Sequence, residues 1–221
     1  VEIVEEEAKK CKRMCKNALK VKIINDDFYN FYSSAEKKYD LIIGNPPYIR
    51  YQYLKEEQRK RQADILTKNG MKANKLINSW VFFLVACIEM LKENGQVAFI
   101  IPAELMQVAY AEDLRDFLSK TLSKILIISF DELVFDDAQQ EVIALIGKKK
   151  SSKSKETKIS NLSFKNIEDM EKKFKNDNID FSDIISNEKW TRYYLSGNQN
   201  QLIERYNKDD NFLKLGDIAI V

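Results

Sequence analysis

Residues 39–48 read Tyr-Asp-Leu-Ile-Ile-Gly-Asn-Pro-Pro-Tyr. Leu41-Ile42-Ile43 is a short apolar run of the kind that forms a buried parallel strand. Pro46 and Pro47, two of only three prolines in 221 residues, follow it almost at once. Their fixed φ angles and missing N–H groups end the strand abruptly and hold the next turn stiff. The prolines are bracketed by a carboxamide, Asn45, and a ring, Tyr48. Such an elbow at a strand's C-terminal end suits the grip of a flat molecule with an exocyclic amino group. A Pro-Pro turn used for rigidity alone would account for the prolines, but not for the Asn and Tyr around them.

Working outward, strands and helices alternate through residues 1–150, which predicts an α/β fold with a parallel sheet. Val1-Glu2-Ile3 reads as the stump of a strand. A helix over residues 6–17 and a strand over 21–25 follow. Beyond the elbow lie a charged segment (55–72), an apolar helix (76–92) stopped at Asn94-Gly95, and a buried strand (97–101) ended by Pro102. A helix (111–122), a strand (124–130) and a returning strand (141–147) complete a sheet that is mostly parallel, with an antiparallel last hairpin. Composition changes at Lys148: residues 148–158 hold six lysines and one acid, a solvated linker or a phosphate contact. Residues 151–221 read as a linker and extension in which a second module begins.

Bulk composition narrows the chemistry. Apolar residues make up 44% of the chain, enough for a real core. The net charge of +2 leaves any nucleic-acid contact to local patches; one candidate is Lys55, Arg59, Lys60, Arg61, Lys68 and Lys72, equally readable as a solvated helix face. The absence of histidine excludes Ser-His-Asp chemistry and most zinc sites. Cys11, Cys15 and Cys87 make neither a disulfide framework nor a four-ligand metal site, so no metal is expected. They fit small apolar side chains in a reducing cytoplasm. The longest apolar run, Trp80 to Ile88, is too short to span a bilayer, and no membrane partner is expected.

Asn45-Pro46-Pro47-Tyr48 resembles the signature of the S-adenosylmethionine-dependent DNA adenine-N6 methyltransferases of restriction–modification systems. The resemblance covers about residues 1–150 and implies a Rossmann-like methyltransferase sheet. It implies further that Asn45 and the Pro46 carbonyl accept hydrogen bonds from the amino group of an adenine flipped out of double-stranded DNA, and that Tyr48 stacks on that base. Phe135, in Glu132-Leu133-Val134-Phe135, resembles the second stacking ring. Polar residues at strand ends are where open α/β sheets bind ligands. Glu2, followed by Ile3, resembles the family's ribose-binding acid; Asp27 resembles the acid that bonds the cofactor's adenine amino group, with Phe28 against the ring. Taken alone, each acid is a common turn or cap residue.

Family members also carry a glycine-rich turn after a first strand that lies between the strands ending at Glu2 and Asn45. The six glycines here include no Gly-x-Gly. The sheet is therefore expected to lack its first strand in this chain, and the piece alone to bind cofactor poorly and be inactive. Leu215-Gly216-Asp217 resembles the approach to a target-recognition domain. A closely similar Asn-Pro-Pro elbow serves methyltransferases of release-factor glutamine and of RNA guanine amino groups, which stay open as alternatives. A third is a non-catalytic DNA-binding fragment.

Overall fold

The computed structural model describes residues 1–18, 20–35, 38–72, 75–132, 141–154, 156–174, 179–184, 189–195, 197–209, 211–213 and 218. Phe135 and the Leu215-Gly216-Asp217 segment lie outside the described residues. In chain order the elements are α1 (Glu5–Met14), α2 (Phe28–Ser34), β1 (Tyr39–Gly44), α3 (Glu56–Lys68), α4 (Ser79–Glu89), β2 (Leu91–Pro102), α5 (Glu112–Thr121), β3 (Leu122–Phe130), β4 (Val142–Lys149), β5 (Lys158–Phe164), α6 (Ile167–Lys173), β6 (Ser182–Asp183) and α7 (Gly197–Asn207).

Six strands form one sheet in the order β1-β2-β4-β3-β5-β6. The β1–β2 and β3–β5 ladders are parallel, whereas β2–β4, β3–β4 and β5–β6 are antiparallel. The sheet is thus more mixed than the expected mostly parallel one. The returning strand β4 enters between β2 and β3, and so pairs antiparallel with both. Neither Val1-Glu2-Ile3 nor residues 21–25 forms a ladder; they meet in a single parallel bridge, Glu2 with Asn25. Asn25 Nδ2 reinforces that bridge by donating to the Glu2 and Ile3 carbonyls at 2.8 and 3.2 Å.

The core follows from apolar patterning. α4 is apolar nearly all round and buried nearly all round, with Trp80, Phe82, Leu84 and Ile88 inaccessible. It packs on one face of the sheet with Val97 and Ile101 of β2, Leu118 of α5, Ile127 of β3 and Leu145 of β4. A smaller cluster around Leu126, Ile128 and Phe164, flanked by Met170 of α6, lies apart from it. Asn94 (φ 61°) and Gly95 do not simply stop α4, which ends at Glu89; they shape an irregularity inside the β1–β2 pairing, between Tyr39 and Leu41.

Two expectations change. β1 is not buried: Leu41 and Ile43 are 58% and 71% exposed. Among the described residues the strand pairs only with β2, and its other edge faces the position of the first strand that the sequence is expected to lack. The lysine-rich stretch is also less of a linker than its composition implies. Lys149 belongs to β4 and its Nζ donates to the Ile88, Glu89 and Leu91 carbonyls at the end of α4. After a short turn β5 rejoins the same sheet, and Trp190 sits in the main core. The sequence division at 150/151 therefore separates two characters of sequence within one sheet. Among the described residues, no helix is long and apolar enough to cross a membrane, and no group of three or more Asp, Glu or Cys side chains could hold a metal ion.

Candidate active site

The elbow forms where β1 runs out of pairing. Gly44 ends the strand beside Phe99 of β2, so close that a Cβ would lie 3.2 Å from the Phe99 ring. Asn45 follows exposed, Pro46 buried and Tyr48 half-buried. The Tyr48 hydroxyl lies 2.9 Å from the Ile100 carbonyl and 3.1 Å from Asn45 Oδ1. It has one proton for these two oxygens, so it links the Asn45 carboxamide to the backbone of β2. Burial pushes the Tyr48 phenol up to about 12, so it stays protonated at neutral pH.

Ser79, the first residue of α4, braces the turn from behind. Its Oγ donates to the Pro47 carbonyl at 2.5 Å and accepts from the Ile49 N–H at 2.9 Å. The Ser79 N–H donates to the Ile49 carbonyl at 2.9 Å. One helical turn along, Phe83 faces the same cleft, and its ring centroid lies 4.7 Å from that of Phe28.

Asp27 is the N-cap of α2. Its Oδ1 accepts from the Tyr29 N–H at 2.9 Å and its Oδ2 from Gln58 Nε2 of α3 at 3.2 Å. Glu2 Oε1 accepts from the Val4 N–H at 2.8 Å. Each carboxylate oxygen retains a second lone pair.

A cleft of about 830 Å³ opens between the Glu2–Asn25 bridge and the edge of β1. Glu2, Ile3, Asp27, Phe28, Asn45 and Pro46 all line it. The structure thus gathers the residues singled out in the sequence from three separate strand ends. Tyr48 stands on the elbow but outside the lining, and Phe135 is not described. The volume falls within the ~300–1,000 Å³ of sites that hold drug-sized molecules. Leu41 and Ile43 on its wall are the exposed edge of β1, and the polar groups lie at the strand ends.

Sequence reasoning missed Ser79, Phe83 and Gln58. The first two lie in a helix so uniformly apolar that periodicity signals only burial. Gln58 lies in a stretch whose charges drew the reading. Several of those charges are engaged within the protein: Arg59 donates to the Tyr51 and Gln52 carbonyls, Arg61 pairs with Glu57 and bonds Asn30, and Lys68 pairs with Glu89.

Comparison with known proteins places this arrangement. Residues 2–135 match the family described as Eco57I restriction-modification methylase. The chain is 30% identical over 197 residues to the type II methyltransferase M.AccI of Acinetobacter calcoaceticus, covering 78% of this chain and 35% of that protein. It is 36% identical over 122 residues to M.HincII of Haemophilus influenzae, covering 55% of this chain and 24% of the relative. The chain therefore spans about a third or less of these relatives. Among solved structures, a nuclease-deletion mutant of the Type ISP restriction-modification enzyme LlaGI, in complex with a DNA substrate mimic, superposes with a TM-score of 0.59 at 16% identity, over 80% of this chain and 22% of that one. The DrdV–DNA complex gives 0.53 at 21% identity, over 72% and 18%. At those identities the structural likeness speaks to fold.

Proposed function

The chain belongs to the Eco57I family of restriction-modification methylases, and from that premise we propose that its cleft is the methyl-transfer site of an enzyme that methylates adenine N6 in double-stranded DNA. One observation carries the reading: the amino-gripping elbow (Asn45, Pro46) and an acid-and-ring pair suited to a second adenine (Asp27, Phe28) open into a single cleft.

When bound, S-adenosylmethionine supplies an electrophilic methyl group on a sulfonium. Glu2 is the residue to hold its ribose, Asp27 its adenine amino group, and Phe28 and Phe83, their rings 4.7 Å apart, one aromatic wall against its adenine. The donor set fits the group, because two carboxylates and two rings beside an apolar channel match a cationic, adenine-bearing molecule. At the other end, Asn45 Oδ1 and the Pro46 carbonyl accept the two amino protons of the target base. Those bonds draw the nitrogen from planar conjugation and turn its lone pair toward the methyl donor. Holding the two reactants in line is the main task, since positioning alone supplies ~7–11 kcal/mol in favourable cases. Tyr48 stacks on the extruded base; one aromatic partner is worth ~1–3 kcal/mol, comparable with the cost of unstacking a base. Residues 151–221 lead, in this reading, toward a module that selects the DNA sequence.

The test is transfer of a tritiated methyl group from labelled cofactor to duplex DNA by the intact protein, followed by nucleoside digestion. Label in N6-methyladenine, with a loss of ~10²–10³ in kcat for Asn45→Ala by analogy with removing one preorganised hydrogen-bonding group from a transition state, supports the proposal. Label in N4-methylcytosine, or transfer to a glutamine of a release factor and not to DNA, would refute it.

A further inference from the structure

The geometry points to Ser79 as a positioning residue for methyl transfer: its buried hydroxyl fixes the direction of the Pro46 carbonyl and the plane of the Tyr48 ring without touching either substrate. The inference rests on the methyl-acceptor role proposed for the elbow.

The elbow cannot brace itself. Pro46 and Pro47 have no N–H to donate, so the first donors of the turn come from Tyr48 and Ile49, and the Pro47 and Ile49 carbonyls need donors from elsewhere. Ser79 answers these needs together. Its hydroxyl gives its one proton to the Pro47 carbonyl, a lone pair takes the Ile49 N–H, and its own N–H serves the Ile49 carbonyl, at 2.5, 2.9 and 2.9 Å. Ser79 is 0% exposed. Water cannot replace the hydroxyl at its own site, although Pro47 and Ile49 are exposed on the outer side of the turn, so a lost bond costs the turn its direction more than its desolvation.

Nothing in α4 itself needs this serine. Asn78 is the N-cap, and neither it nor the helix uses the Ser79 hydroxyl as a cap. The next nine residues, Trp80 to Ile88, are apolar, and an alanine would serve the helix better. The hydroxyl is explained by the elbow alone. Its leverage comes from the prolines. With φ fixed at both, the direction of the Pro46 carbonyl depends on few torsions, and Ser79 ties down the peptide immediately after them. The same helix carries Phe83 one turn later, against Phe28 and beside the cap residue Asp27. The elbow and the adenine wall are thus hung on one rigid element, which keeps methyl donor and acceptor in fixed register.

The experiment compares Ser79→Ala and the volume-conserving Ser79→Cys, a weak hydrogen bonder, with a destabilised control remote from the cleft, Ile127→Val of β3. All are made in the intact protein and assayed well below their melting temperatures. For wild type and variants one measures kcat, KM for DNA, cofactor affinity, and the fluorescence of 2-aminopurine placed at the target base. Both Ser79 variants should lose ~10- to 100-fold in kcat, the scale of a misplaced reacting group, with cofactor affinity within about twofold of wild type, while Ile127→Val keeps its kcat. An altered 2-aminopurine signal would accompany the loss. Unchanged kcat in the two Ser79 variants, an equal loss in Ile127→Val, or a loss confined to cofactor affinity would overturn the assignment while leaving the DNA reading intact. Wild-type protein that methylates no DNA would overturn the DNA reading first, and the Ser79 assignment with it.

Discussion

Phe83→Ala separates the cofactor wall from the core that supports it. Phe82 and Phe83 are neighbours on α4 and share one aromatic cluster, their rings 5.3 Å apart. Phe82 is inaccessible and stacks on Tyr29 at 4.3 Å and 5°. Phe83 is half-buried, lies 4.7 Å from Phe28 and lines the cleft, which Phe82 does not. Removing the Phe83 ring takes away one of the two contiguous rings of the wall against a bound adenine, up to the ~1–3 kcal/mol scale of base–aromatic stacking. That is roughly a 5- to 150-fold rise in Kd. Its stability cost should fall below the ~3–5 kcal/mol of a fully buried Phe→Ala change, because the ring is only partly enclosed. Phe82→Leu supplies the contrast: it disturbs the stack on Tyr29 and lowers the melting temperature, yet leaves the cleft wall in place. Calorimetric titration of the intact protein with a non-reactive cofactor analogue, paired with thermal unfolding, reads both quantities. Weakened binding in Phe83→Ala with near-normal binding in Phe82→Leu is the expected pattern. Equal losses in the two variants, or an affinity within twofold of wild type in Phe83→Ala, would refute the reasoning.

Other predictions concern the supports of the site. Tyr48→Phe keeps the ring but removes the link between Asn45 and the Ile100 carbonyl; kcat should fall by less than ~10-fold, the worth of about one hydrogen bond, with the 2-aminopurine signal unchanged in a fluorescence titration. Lys149→Met removes the donor to three carbonyls at the end of α4 and should lower stability in urea unfolding by ~1–3 kcal/mol. Glu89 gives a pH dependence. Burial raises its carboxyl, but hydrogen bonds from Tyr32, Lys68 and Asn69 and the Lys68 charge outweigh that and hold it below the ordinary 4.5. A carboxylate lowered in the folded state stabilises fully above its unfolded pKa, and that contribution is lost as pH falls through the folded value. Glu89→Gln should therefore be less stable than wild type at pH 7, with the gap closing below about pH 4.5 in thermal unfolding.

Much of the fold was legible because apolar runs and chain breakers agreed. β1, α4, α5, β3 and β4 fall where periodicity and the Pro-Pro stop put them, within a few residues, and β2 ends at Pro102 as expected but begins six residues early, at Leu91. What resisted was charge used as packing. Lys149 and Lys150 direct their ammonium groups onto carbonyls of α4 and α5, so a lysine run conceals the end of a strand and the turn to another. α3 was hidden in the same way, its Gln62 and Leu66 buried amid a stretch that reads as charge. At the site, Asp27 was legible because an acid before Phe-Tyr-Asn-Phe is a cap as well as a ligand, and the structure uses it as the cap. Ser79 was illegible because its role depends on a turn 30 residues upstream.

The exposure of β1 follows from the strand expected between it and the Glu2 segment, which the described residues do not supply. Leu41 and Ile43 face that gap, opposite Ile3 and Ile24 of the Glu2–Asn25 bridge, so these apolar walls suit a neighbouring strand before they suit a ligand. The groups with chemistry to offer a ligand gather instead at the strand ends: Asn45 and Pro46 where β1 stops, Glu2 and Asp27 beside the bridge. Asn45 is exposed and Pro46 buried, so a hydrogen bond to Asn45 gains strength only once a bound base excludes water from it. The rigidity of the Pro-Pro elbow matters most at that moment, because a carbonyl whose direction is already fixed need not be reoriented as water leaves.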